Sequence, residues 1–302
     1  MRCSLAESAA KAKLEEGAKA LDDIVPALMS EDVEGIHRAR VASRRLRAAI
    51  DAHRSVLGKR ERNLLTKAVR RITSGLGTAR ELDVTIALLE SKRMGLSGAE
   101  RYACTHAVTQ LRALRNDEAK AIAASADYIM SDAFANRVYE TVSSGRAPNV
   151  CHLDEAEAEL KGRRRDLWRA HKQWGQSPSE ENLHAVRIAF KKFRYSCEQY
   201  VDLYGKPLKR LTKTLRVVQD DLGTWNDFRV ARRRVQSVSN GAEPMAASGI
   251  APLAALLDQE ADKHLDAYRS TAAEFFSPTQ RDGVKRLIKA ARRPCCAKRK
   301  KG

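Results

Sequence analysis

His37-Arg38-Ala39-Arg40-Val41-Ala42-Ser43-Arg44-Arg45-Leu46-Arg47 and His184-Ala185-Val186-Arg187-Ile188-Ala189-Phe190-Lys191-Lys192-Phe193-Arg194 are two copies of one pattern, H-x-x-R-x-x-x-[RK]-[RK]-[LF]-R. At about 100° per helical residue, positions zero, three, seven and ten fall within roughly 80° of one another. A helix therefore gathers His37, Arg40, Arg44 and Arg47 on one face, and His184, Arg187, Lys191 and Arg194 on another. Arg45 and Lys192 stand beside these stripes. Like charges three or four residues apart destabilise an isolated helix by about 0.2–0.5 kcal/mol per pair, so a single-sign face written twice calls for an anionic ligand. An ordinary solvated face mixes signs, whereas from His37 to Arg71 twelve Lys or Arg meet only Asp51 and Glu61. The two histidines read first as hydrogen-bonding groups near a helix start and second as anion ligands.

The similarity continues downstream. Lys67-Ala68-Val69-Arg70, followed by Leu76-Gly77-Thr78-Ala79-Arg80-Glu81, aligns with Lys213-Thr214-Leu215-Arg216, followed by Leu222-Gly223-Thr224-Trp225-Asn226-Asp227. From His37 to His184 is a step of 147 and from Lys67 to Lys213 one of 146, so one residue of length changes near Gly58 and Gly205. This is an internal duplication. Both Leu-Gly-Thr triplets are expected to turn one helix into the next, with Glu81 and Asp227 buttressing the cations.

Two copies in this order resemble the CHAD family, the conserved histidine α-helical domain, over about 37–84 and again about 184–230. Glu81 stands where the family's R-D-x-D run commonly has Asp, a conservative change. The resemblance implies an all-α fold of two pseudo-symmetric helical-bundle halves around a basic central cavity that binds inorganic polyphosphate, with targeting to polyphosphate granules. Carried onto this chain, the expected binding residues are His37, Arg40, Arg44, Arg45, Arg47, Lys67 and Arg70, with His184, Arg187, Lys191, Lys192, Arg194, Lys213 and Arg216 opposite. The expected division is 1–145 and 146–291 for the two halves, then a basic tail at 292–302.

A formal charge of +18 and a pI near 9.9 point to a polyanionic partner. Nucleic acid is the competing one. Base recognition in single strands uses stacking aromatics, and aromatic residues make up 5% of this chain, which favours a partner without bases. Duplex binding through phosphates alone stays open. Six cysteines without a C-x-x-C pair read as reduced thiols, and the polar, Ala-rich first residues lack the apolar run of a signal peptide. No stretch approaches 18 apolar residues, so the expectation is a cytoplasmic protein without a membrane span.

Period-3.6 patterning predicts helices over about 5–29, with Pro26 either bending the helix or beginning a new turn near its end, then 32–57, 60–76, 79–92, 97–126, 131–142, 154–174, 253–268 and 279–291. Ser177-Pro178-Ser179-Glu180 reads as a capping box opening the second signature helix, and 240–252 reads as a loop. Residues 143–149 form the expected linker, and the tail with Cys295 and Cys296 is expected to be disordered. Cys197 takes the place of Ile50 in the repeat and reads as core.

Enzymatic signatures are scarce. Glu157-Ala158-Glu159-Leu160-Lys161 has the E-x-E-x-K form of triphosphate tunnel enzymes, but those carboxylates work on β-strands and this stretch is patterned as helix. There is no phosphate-binding Gly-rich loop, no H-E-x-x-H and no G-x-S-x-G. Asp220 and Asp221 are adjacent and read as pairing or capping groups. The expectation is a non-catalytic protein without metal or cofactor; a metal-dependent phosphohydrolase is the third hypothesis.

Overall fold

The structure, a computed structural model, describes residues 6–145 and 150–290. The expectations for the tail, for Cys295 and Cys296, and for most of the linker lie outside these residues. The described chain is helical, with no strand longer than an isolated bridge at Cys151. No helix is long and apolar enough to cross a membrane.

The N-terminal part contains α1 (Ala6–Asp22), α2 (Val25–Met29), α3 (Val33–Ala52), α4 (Lys59–Gly75), α5 (Gly77–Arg93), α6 (Gly98–Asp117), α7 (Ala119–Met130) and α8 (Asp132–Ser143). Pro26 sits in the first turn of α2, where its missing N–H costs nothing, so of the two alternatives it begins a new helix and does not bend the first. Asp32 opens α3 by accepting the Gly35 N–H at 2.6 Å. Ile36, Ala39, Leu46 and Ile50 then bury the back of the first basic stripe. The expected long helix over 97–126 is divided at Glu118 into α6 and α7.

The second part contains α9 (His152–Gln176), α10 (Glu180–Gln199), α11 (Val201–Tyr204), α12 (Lys206–Ser237), α13 (Pro244–Phe275) and α14 (Pro278–Ala290). Ser179, two residues later than expected, caps α10 through its hydroxyl on the Asn182 N–H, which leaves Pro178 outside the helix. The stretch 240–252 is mostly helix as well. Pro244 starts α13 and Pro252 lies inside it. Gly249 is there for packing: a Cβ at that position would come within 2.0 Å of the Ala99 carbonyl oxygen at the start of α6, so only glycine lets the two backbones meet.

The Leu-Gly-Thr triplets behave differently in the two copies. In the first, Leu76 (φ −93°, ψ 6°) separates α4 from α5. In the second, α12 runs through Leu222-Gly223-Thr224 without interruption, and the expected turn is absent. Leu222 and Trp225 are both buried, so the apolar stripe continues across Gly223, and the Thr224 hydroxyl bonds to the Asp220 carbonyl as in an unbroken helix. Continuation there costs only glycine's poorer helix propensity, about 1 kcal/mol relative to alanine.

Two apolar clusters form the core. One joins α1 to α4 with α7 and α8 through residues such as Leu14, Ile36, Leu65, Ile122 and Phe134. The other joins α9, α10, α12, α13 and α14 with α6 and with Leu82 and Leu89 of α5. Helix α6 belongs to the first half by sequence, yet Ala103, Cys104, Ala107, Val108 and Leu111 pack in the second cluster. Cys197 is fully buried there, as expected of a core residue. The E-x-E-x-K stretch lies within α9, where Glu159 is buried and its carboxylate accepts from Arg163 and Ser196.

Candidate functional site

Helices α3, α10 and α12 enclose a cleft of about 550 Å³. Its cationic and imidazole groups are His37, Arg44 and Arg45 from α3, Lys191 and Arg194 from α10, and Arg216 from α12. Asp220 and Asp227 of α12 line the same space. Both basic stripes contribute because α3 and α10 pack against each other, while α12 passes along α10 and carries the downstream motif to the same spot.

Burial comes first in the electrostatics, and crowding of like charge adds to it. Burial, then Arg187 and Arg44, push the Lys191 ammonium down to about 7. Burial lowers Arg187 too, with Asp227 opposing and Arg44 reinforcing the shift. Arg40 is pushed down to about 10 by burial, Arg44 and Arg80. Arg44 of the first copy thus acts on two cations of the second. Burial and then Arg80 lower His37, and burial and then Arg187 lower His184. Asp227 is raised by burial despite the opposing field of Arg187, Lys191 and Arg80. His37 Nδ1, Arg40 Nε and Arg187 Nε are buried without a hydrogen-bond partner. This is an arrangement of fixed positive charge with fewer counter-charges than it needs.

The remaining expected residues are distributed around the cleft. Arg40 donates to the Thr73 carbonyl, and its guanidinium lies 3.4 Å from where a Cβ on Gly77 would stand. Arg47 is lowered by burial and by Arg70, which is itself exposed. Lys67, Lys213 and His184 are exposed and do not line the cleft. Lys192 lines a separate hollow with Arg163, Arg169 and Gln173, on the flank where the repeat put it. Neither His37 nor His184 caps its helix, because Asp32 and Ser179 do so.

Arg194 is largely committed to the protein. It is 8% exposed, donates to Gln219 Oε1 at 3.1 Å and to Glu198 Oε1 at 2.5 Å, and lies 4.4 Å from the Tyr195 ring centroid. Glu198 also approaches Arg45 at 3.5 Å. Glu198, Gln219 and Tyr195 were not among the expected site residues. Glu198 had a readable signal, four residues after Arg194 on one helix face. Arg80 is the other omission, a cation of the quoted repeat that acts on His37, Arg40 and Asp227. Among the described residues, the trio with metal-ligand spacing is His53, His152 and Glu155, outside this cleft.

No curated protein matches the sequence. Among solved structures, the chain is similar to the crystal structure of the CHAD domain from the plant Ricinus communis, at 20% identity and a TM-score of 0.68, covering 96% of this chain and 94% of that one. It is similar as well to PptA from Streptomyces chartreusis, at 17% identity and a TM-score of 0.64, covering 89% of this chain and 99% of that one. Both likenesses are likenesses of fold. The CHAD domain family itself matches residues 12–236, which takes in both signature helices, all of the cleft and its cross-copy contacts. With well over half of its length matched, the chain belongs to the CHAD domain family.

Proposed function

We propose that this protein binds inorganic polyphosphate in the cleft between α3, α10 and α12 and does not transform it chemically. The observation that supports this most directly is that Arg44 and Arg45 of the first repeat line one cleft with Lys191 and Arg194 of the second. A flexible chain of phosphates is the ligand class that such a lattice suits. Guanidinium groups hold phosphate oxygens in bidentate fashion, and the lysine acts as a point charge. Charge-assisted hydrogen bonds contribute about 1.5–3 kcal/mol each, less where water screens them, so several together give tight, salt-sensitive binding.

The cleft offers little to a base. Tyr195, its aromatic residue, is 8% exposed and already lies against Arg194. Binding should collect the protein at polyphosphate granules in cells that make them.

A competition titration tests the reading. Labelled long-chain polyphosphate bound to the full chain is displaced by unlabelled polyphosphate, duplex DNA, RNA or ATP at about 0.15 M salt, near the ionic strength at which long-range attraction is already screened. Polyphosphate should displace best. Preference for duplex DNA by an order of magnitude would replace polyphosphate by nucleic acid as the ligand. Release of orthophosphate on adding Mg²⁺ or Mn²⁺ would make the protein an enzyme.

A further inference from the structure

The end of α3 and the first turn of α9 bring together groups that neither the repeat nor the cleft uses. His53, the residue after α3, is fully buried, and His152 and Glu155 of α9 are 8% and 6% exposed. The two imidazole rings lie 5.5 Å apart, centroid to centroid, and Tyr200 stands against both, 5.8 Å from His53 and 5.6 Å from His152. One potential ligand atom from each of His53, His152 and Glu155 lies within 4.8 Å of the other two.

The hydrogen bonds sharpen the picture. His53 Nδ1 is 2.8 Å from Glu155 Oε2, and the Ser55 hydroxyl donates to Glu155 Oε1. Donation from Nδ1–H to the carboxylate places the lone pair of a neutral His53 on Nε2. That atom is buried and has no hydrogen-bond partner. Protonating the ring gives no relief, because Nε2–H would then lack an acceptor.

We propose that His53, His152 and Glu155 bind one zinc-class divalent transition-metal ion. Two imidazoles and a carboxylate suit zinc and its neighbours, whereas magnesium and calcium prefer shells made of oxygen. Three protein ligands leave a fourth position for water. Zinc bonds of roughly 2.0–2.2 Å separate tetrahedral ligand atoms by roughly 3.3–3.6 Å, so the trio closes on the ion and Glu155 leaves its hydrogen bond with His53 Nδ1 to reach it. Glu159, one turn further along α9 and also buried, supplies negative charge behind the site and holds Arg54 at 3.6 Å. The ion would pin the signature helix α3 to the start of α9.

The test uses the full chain with Cys295→Ser and Cys296→Ser, which removes the tail thiols as competing ligands, freed of polyphosphate and stripped of metal by chelator. Zinc should bind at one ion per chain and raise the thermal midpoint by several degrees, and cobalt should give the visible bands of a low-coordinate nitrogen and oxygen site. Glu155→Gln and His152→Gln should each lower zinc affinity at least tenfold while circular dichroism shows retained helix. X-ray absorption fine structure of the zinc form needs no site variant and should report two imidazoles. Absence of stoichiometric binding, fewer than two imidazoles, or undiminished affinity in the two folded variants would each overturn the proposal.

Discussion

Arg234 of α12 reaches across to Glu81 of α5, its Nη2 lying 2.6 Å from Glu81 Oε1. Glu81 occupies the same repeat position as Asp227, yet the two acids serve different ends. Asp227 lines the cleft and faces Arg187 and Lys191, whereas Glu81 ties the first copy to the far end of the second copy's long helix. The pair is partly exposed, so Glu81→Gln should lower stability by no more than about 1 kcal/mol. Removing that carboxylate near Arg40 should raise polyphosphate affinity modestly. Chemical denaturation and a binding isotherm on the same variant check both halves of this expectation.

Lys191 makes binding depend on pH. Its ammonium titrates near 7 in the free protein, and a polyanion favours the charged form. Binding should therefore take up protons around neutrality, and affinity should weaken as pH rises above about 7. The stability effect runs the other way. Between about 7 and 10.5 the unfolded chain holds more protons on this lysine than the folded one, so its contribution to folding stability improves as pH climbs through that window. Calorimetry in two buffers of different ionisation enthalpy measures the proton uptake, which Lys191→Met should cut sharply, leaving the part that His37 contributes.

Charge reversal should separate cleft from core. Arg44→Glu combined with Lys191→Glu should eliminate polyphosphate binding while leaving helicity and thermal midpoint unchanged or improved, because each new carboxylate sits among uncompensated cations. Arg194→Ala should behave differently. It strips partners from Glu198 and Gln219, and loss of those two hydrogen bonds, the Gln219 one buried and the Glu198 one half-buried, should cost about 1–3 kcal/mol of stability. A fully stable Arg194→Ala protein that fails to bind would return Arg194 to the ligand.

Separating the chain at residue 145 should not yield two folded halves. The fragment from residue 146 lacks α6, which covers α13 through the Gly249 contact and fills the second apolar cluster. It should show helical far-ultraviolet dichroism with weak near-ultraviolet dichroism and rapid proteolysis, as loosely packed chains do. Resistance of that fragment to protease would remove α6 from the second core.

The helical class and the pairing of basic stripes were legible because helix period and charge leave direct marks on sequence. His37, Arg44, Arg45, Lys191, Arg194 and Arg216 were all marked, and all line one cleft. Less legible was how each cation is used. Arg194 and Arg187 share one stripe of α10, and only tertiary packing decides that Arg194 is held by Gln219 of α12 while Arg187 Nε stays without a partner. The straight run of α12 was hidden for a similar reason. Leu-Gly-Thr is the same triplet in both copies, and burial of Leu222 with Trp225 overrides the local turn preference. His53 and His152 stand 99 residues apart in the chain, beyond any spacing rule for metal ligands.

The crossing of α6 into the second core sets an order of events during synthesis. Its apolar face, Cys104, Val108 and Leu111 included, leaves the ribosome well before α13, the partner that covers it, has been translated. At about 5–20 residues per second, the interval of more than a hundred residues lasts on the order of ten seconds. For that time the nascent chain carries α1 to α4, α7 and α8 able to pack, with α6 held only by α5 and the face that α13 covers still open. A chaperone that shields one short amphipathic helix would act in this interval, and slowing translation between α6 and α13 would lengthen the exposure.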